Sequence, residues 1–127
     1  MATAAIVCEY NPFHNGHLRQ IRLTREALGQ DAAVVCVMSG NFVQRGAPAI
    51  FDRAVRAKAA VECGASLVLE LPVTDCLRSA EGFGAGAVGI IDALGVVDAL
   101  SFGCECGEAD ALWELAAALR SERFSAL

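Results

Sequence analysis

Four short apolar runs rich in Val, Ile, Leu and Ala recur along the chain, at Thr3–Cys8, Ala32–Met38, Ser66–Leu71 and Ala99–Phe102. Each is followed by a segment with helical spacing, and this alternation constrains the fold more than any other feature. Continuous apolar runs, without a polar residue at every second position, suit strands covered on both faces of a parallel sheet. The intervening segments predict helices over Gly16–Leu28, Asp52–Cys63, Asp75–Leu94 and Glu108–Arg120. Gly29, Gly64 and Gly95 stand where a left-handed residue would close a helix, and Asp52 and Asp75 stand where a side chain would cap one. A βαβα series of this kind predicts an α/β architecture: an open parallel sheet with right-handed crossovers and helices on both faces. No linker, repeat or low-complexity segment interrupts it, so residues 1–127 read as one domain.

The hydrophobic fraction of 55% is ample for a packed core and argues against disorder. No apolar run approaches the ~20 residues that span a bilayer, and the N-terminus lacks a basic segment followed by a long apolar one. The expectation is a cytoplasmic protein without a membrane partner. Six cysteines raise the question of zinc or disulfides. Cys8 and Cys36 fall inside predicted strands, Cys63 precedes a helix-ending glycine, and Cys76 starts a predicted helix. Cys104 and Cys106 form C-x-C rather than the C-x-x-C of zinc knuckles. Unpaired structural thiols are the expectation, with no metal site.

Charge is unevenly spread. Through Lys58 there are seven basic and four acidic residues; from Ala59 onward there are three basic and eleven acidic, giving +3 and −8 within a net charge of −5. The positive field lies around the early loops, which suits a nucleotide phosphate better than a long polyanion.

In open parallel sheets, ligands bind beyond the carboxyl ends of the strands. That rule gathers four loops into one crevice: Glu9–His17, Ser39–Gly46, Glu70–Asp75 and Gly103–Gly107. The first holds His14-Asn15-Gly16-His17, where a strand gives way to a helix. The unpaired N–H groups and dipole of a helix N-terminus favour phosphate there, and imidazoles add donors that can follow developing charge. Metal binding is the rival reading of two histidines, but no His or Cys partner has helical spacing to this pair. In the second loop, Ser39, Gly40, Asn41, Gln44 and Arg45 could contact phosphate or a carboxylate substrate. Arg53, Arg56 and Lys58 on the next helix read as a solvated face. Gly84-x-Gly86-x-x-Gly89 matches a dinucleotide fingerprint, but the residues before it read as helix, so these glycines are expected to permit close helix–sheet packing.

The segment from Glu9 to His17, Glu-Tyr-Asn-Pro-Phe-His-Asn-Gly-His, resembles the bacterial tRNA(Met) cytidine acetate ligase family, within the wider HxGH nucleotidyltransferase superfamily. The similarity continues through Met38–Gly46, Pro48–Asp52, Leu69–Pro72, Ser79–Glu81 and Phe102–Gly107. HxGH alone is shared by many adenylyltransferases, and the nonapeptide with Ser39–Gly46 is far more specific. The resemblance implies a Rossmann-like nucleotidyltransferase fold. It also implies ATP-dependent activation of acetate as acetyl adenylate, followed by transfer to N4 of a wobble cytidine. ATP would be wrapped by Val7, Glu9, Tyr10, Asn11, Pro12, Phe13, His14, Asn15, Gly16 and His17, with Gly103 allowing close approach of the nucleotide. His14 and His17 would act catalytically, on phosphate charge. Magnesium is expected to accompany ATP, although no carboxylate cluster marks a dedicated site. Cys104 replaces the serine of the family's Gly-Ser-Glu-Cys-Gly pattern. Family members are longer, so a further ATP-contacting segment and the tRNA-binding region are expected beyond Leu127, and tRNA is expected as a partner only with that region. A small-molecule adenylyltransferase and a non-catalytic nucleotide-binding module are the alternatives that share the histidine turn.

Overall fold

The computed structural model describes residues 1–105, 107–121 and 124. Four parallel strands form one sheet: β1 (Thr3–Cys8), β2 (Ala33–Ser39), β3 (Leu67–Leu71) and β4 (Ala99–Leu100), in the order β3-β2-β1-β4. The register pairs Ala5 with Val35, Cys8 with Met38, Val35 with Leu67 and Ser39 with Leu71. The connections carry helices α1 (Asn15–Leu28), α2 (Arg53–Glu62), α3 (Val73–Cys76) and α4 (Ala80–Leu94), and α5 (Ala109–Leu119) follows β4.

Period-two alternation sorts the two central strands between two cores. Ile6, Val34, Cys36 and Met38 pack against Ile21 of α1 and Ala60 of α2 on one face. Ala5, Val37 and Leu71 pack against Cys76, Ala87 and Ile91 of α3 and α4 on the other. Helices therefore cover both faces, as the uninterrupted apolar strands require. Each buried Ile, Leu or Val contributes about 1.5–3 kcal/mol relative to exposure. Among the described residues, no helix is long and apolar enough to cross a membrane.

Several local expectations are corrected. The segment expected to be one helix from Asp75 to Leu94 is two. Pro72 opens α3, and the side chain of Ser79 accepts the Gly82 N–H at 3.2 Å to start α4 anew. Asp75 is therefore not an N-cap; it sits inside α3 and pairs with Arg78 at 3.3 Å. Cys76, expected to begin a helix, is the last residue of α3 and is buried. Gly86 abuts Asp75, so close to it that a Cβ would lie 2.6 Å from that residue's own Cβ. The contact it allows is helix to helix rather than helix to sheet, while Gly84 and Gly89 face open space. Asp52 does cap α2, accepting from the Ala54 N–H at 2.8 Å. Gly95 is left-handed, but Gly29 caps α1 at φ +113° outside the left-handed helical region, and α2 is capped by Cys63, with Gly64 at φ +113° one residue beyond. The last strand is only Ala99–Leu100. It pairs on one side alone, with β1, and after the bond from the Ser101 N–H to Ala5 O the chain leaves the sheet.

Candidate active site at the histidine turn

The segment after β1 carries the chain over the end of the sheet. Tyr10 adopts φ +48°, the Asn11–Pro12 peptide is cis, and His14 returns to extended geometry as the N-cap of α1. The caps are the histidines themselves. The Gly16 N–H donates to His14 Nδ1 at 3.0 Å, and the His14 N–H donates to His17 Nδ1 at 3.2 Å. This is the reciprocal logic of a capping box, built from imidazoles. A ring nitrogen that accepts a backbone N–H cannot carry a proton, so the neutral tautomer of each ring is Nε2–H. The fold thus sets both side chains as Nε2 donors at a helix N-terminus.

The two rings stack with centroids 3.7 Å apart and planes inclined by 25°. His17 also lies against Tyr10 and Phe13, at 4.8 and 5.5 Å between centroids. Burial first, and the charge of His14 second, hold the His17 pKa below the ordinary histidine range. His14 is the exposed partner. Gly16 is required by contact: a Cβ there would lie 2.9 Å from His14 Cε1 and 3.0 Å from Nδ1, displacing the ring.

Beneath the turn, the Tyr10 hydroxyl lies 3.3 Å from Cys36 Sγ, and the Cys8 thiol donates toward Val37 O at 3.7 Å. Burial pushes both the Cys8 and Tyr10 pKa values up, so neither is poised to ionise. Of the six cysteines, Cys8, Cys36, Cys63 and Cys76 are free thiols, Cys104 is exposed, and Cys106 lies outside the described residues. No group of three or more His, Cys, Asp or Glu side chains gathers as a metal site among the described residues.

Arg56 overturns the expectation of a solvated basic face. It is 1% exposed, whereas Val55 and Val61 on the same helix face solvent. Its Nε donates to Phe51 O at 3.0 Å, and Nη1 donates to Glu9 O at 2.5 Å and Ser39 O at 3.2 Å. Nη2 donates to Gly40 O. One guanidinium therefore fastens the segments leaving β1 and β2 to the approach of α2. No carboxylate pairs with it among the described ion pairs. Its positive charge is left under the crevice, where it favours an anion. The available signal was the spacing of Arg56 and Ala60, one turn apart on the inward face, which charge-based reading of the helix passes over. Arg53 and Lys58 are exposed as expected, but each is paired: Arg53 with Glu70 at 2.7 Å and Lys58 with Glu62 at 3.7 Å.

The Ser39–Gly46 loop holds itself to its neighbours. The Gln44 N–H donates to Glu9 Oε1 at 2.9 Å, and its side-chain amide donates to Arg78 O at 3.0 Å. Asn11 Oδ1 accepts the Ile50 N–H at 2.7 Å, and Asn41 Oδ1 accepts the Arg53 N–H at 3.1 Å. Ser39 Oγ is buried with no hydrogen-bond partner. Arg45 is exposed at the loop tip, and Pro12 and Asn15 are exposed beside the histidines. Val7 packs against the α4 side of the sheet.

A groove of about 470 Å³ runs between α1 and the end of β4, from Gly16 to Gly103. Gln20 and Thr24 latch its walls together: Gln20 Nε2 donates to Ser101 O at 3.1 Å, and the Thr24 hydroxyl meets Ser101 Oγ at 2.7 Å. A Cβ at Gly103 would meet nothing within 4 Å, so its backbone is open to a ligand.

A family model described as HIGH Nucleotidyl Transferase matches residues 1–126. Similar curated proteins include the tRNA(Met) cytidine acetate ligase of Clostridium botulinum (strain Loch Maree / Type A3), 49% identical over 96% of this chain and 30% of the relative. The ligase of the same name from Syntrophotalea carbinolica is 51% identical over 88% of this chain and 26% of its own length. The chain thus spans less than a third of these relatives. Among solved structures, Thermotoga maritima TmcAL bound with alpha-thio ATP matches with a TM-score of 0.90 and 44% identity, over 96% of this chain and 29% of that one. Its apo form matches at 0.88 and 45%. The strand-to-helix turn with its paired histidines, the parallel sheet that presents it and the match from residue 1 to 126 together place this chain in the HIGH nucleotidyl transferase family.

Proposed function

We propose that this chain binds ATP at the histidine turn and activates acetate as acetyl adenylate, the ATP-dependent half-reaction of a tRNA(Met) cytidine acetate ligase. The observation that carries the reading is the reciprocal cap, which fixes both imidazoles with Nε2 as the donor. It is supported by the likeness to an enzyme solved with an ATP analogue. The groove from Gly16 to Gly103 would take the nucleoside, and the α1 N-terminus with His14 and His17 would take the phosphates.

In the reaction, an acetate oxygen attacks the α-phosphorus, the bond to the bridging oxygen breaks, and pyrophosphate leaves with the electron pair. No protein nucleophile is needed, so the chain contributes positioning and charge stabilisation. His14 and His17 donate to oxygens on which charge accumulates, and the unpaired charge of Arg56 adds a long-range favourable field. Magnesium would accompany the phosphates as part of the substrate. Transfer of the acetyl group to tRNA would draw on the part of the relatives' length that lies outside the region matched here.

Calorimetric titration with a non-hydrolysable ATP analogue tests the site. His14→Ala is expected to weaken binding at least about ten-fold, the loss of one charge-following donor and its cap; unchanged affinity removes the assignment. ATP–pyrophosphate exchange that rises with acetate supports the acyl substrate, and exchange indifferent to acetate refutes it.

A further inference from the structure

A second recess, of about 270 Å³, opens at the carboxyl ends of β2 and β3, lined by Asn41, Phe42, Arg53, Glu70 and Val73. It is smaller than the ~300–1,000 Å³ of pockets that enclose drug-sized ligands, and is scaled to one ring. Its polar groups are held in place. Arg53 Nη1 bonds both oxygens of Glu70, at 2.7 and 2.8 Å. The Arg53 backbone is pinned by Asn41, and the Glu70 carboxylate packs against Gly40, where a Cβ would have to displace it. Because a single nitrogen makes both bonds, Arg53 keeps Nε and Nη2 as donors, and each Glu70 oxygen keeps a lone pair. A donor fork and an acceptor therefore stand side by side, with Phe42 42% exposed beside them.

We propose that this recess binds the cytosine base of the acceptor nucleoside. Cytosine presents the amino hydrogens of N4 and then the acceptors N3 and O2 along one edge. Glu70 accepts from N4, Arg53 donates to N3 or O2, and Phe42 offers a ring for stacking. Uracil places O4, an acceptor, against the carboxylate and is rejected. The recess is joined to the histidine turn through Arg56, which holds Gly40 O and Glu9 O with the same guanidinium. This inference rests on the proposed function for the identity of the acceptor, but its test does not depend on ATP.

Backbone amide shifts of the isotope-labelled chain are followed on titration with cytidine, uridine or sodium acetate, with and without a saturating ATP analogue. Cytidine is expected to move the amides of Phe42, Glu70 and Val73, with at least about five-fold tighter binding than uridine. Glu70→Gln, which sets an amide donor beside the same acceptor, is expected to abolish that preference or turn it toward uridine. Phe42→Ala is expected to weaken both nucleosides together. Equal binding of cytidine and uridine overturns the proposal. So does a preference untouched by Glu70→Gln, a response confined to His14 and Gly103, or a response of the recess to acetate alone. Failure of the analogue to shift His14 and Gly103 counts against the ATP site, whatever cytidine does.

Discussion

Replacing Arg56 with methionine removes the guanidinium while keeping most of the apolar stem. Four backbone carbonyls, of Glu9, Ser39, Gly40 and Phe51, lose their charged donor. A hydrogen bond from a charged group contributes about 1.5–3 kcal/mol, and an orphaned buried acceptor costs about 1–3 kcal/mol. These terms do not add, because loops relax and water reaches some of the carbonyls. If roughly two of the four carbonyls stay dry and unpaired at about 1–3 kcal/mol each, the loss expected here is about 3–5 kcal/mol. Against a global stability of ~5–15 kcal/mol, the chain should still fold but with little margin. In urea, with a slope of about 2 kcal/mol per M, the midpoint should fall by about 2 M. Arg56→Lys should recover less than half of the loss, because one ammonium cannot serve four carbonyls arranged around a planar fork. The ATP analogue should also bind more weakly to both variants, since the guanidinium anchors the start of the histidine segment. A loss below about 1 kcal/mol for Arg56→Met would refute the clamp.

Other outcomes follow from the same geometry. Gly16→Ala should weaken the ATP analogue about ten-fold or more by displacing His14, with a stability change under about 1 kcal/mol because alanine favours the helix; calorimetry and urea melts separate the two effects. His17 has a lowered pKa in the folded state, so the unfolded chain binds the proton more readily. Its contribution to stability is therefore full above about pH 6.5 and is lost as the pH falls through the folded value. His17→Gln, which can still accept the His14 N–H, should flatten that part of the profile between pH 7.5 and 5.5. Ser79→Ala should cost about 0.5–2 kcal/mol as loss of a cap, whereas Asp75→Ala should cost less than about 1 kcal/mol as loss of a partly exposed ion pair. The reverse order would restore Asp75 as the helix start.

The sheet was legible because Ile6, Val34, Cys36 and Met38 alternate with Ala5 and Val37 in runs too apolar for any one-sided sheet. The histidine turn was legible because Gly16 and the two imidazoles sit at the boundary between two periodicities. Arg56 was not, because sequence patterning assigns charge to solvent. Nothing local reveals that four carbonyls from remote segments converge to replace its hydration. The break before α4 was hidden by the helical spacing that runs through Leu77 and Arg78; only the side-chain bond of Ser79 to Gly82 chooses the second start. The bracing of the second loop by Gln44, through Glu9 and Arg78, was hidden for a similar reason. A polar loop residue that braces the scaffold has the same composition as one that touches a ligand.

The strand order β3-β2-β1-β4 has a consequence for how the chain is made. Synthesis delivers β1, β2 and β3 by Leu71, with α1 and α2 available to cover one face. The opposite face, carrying Ala5, Val37 and Leu71, has only Cys76 of the short α3 against it until α4 has emerged, through Leu94. A nascent chain of intermediate length thus carries a half-dressed sheet with an apolar surface open to water. The last strand then closes against the first, joining residues 95 positions apart through Asp98 and Thr3. Aggregation during translation should peak in that window, and folding should finish only when the oldest strand receives its youngest neighbour.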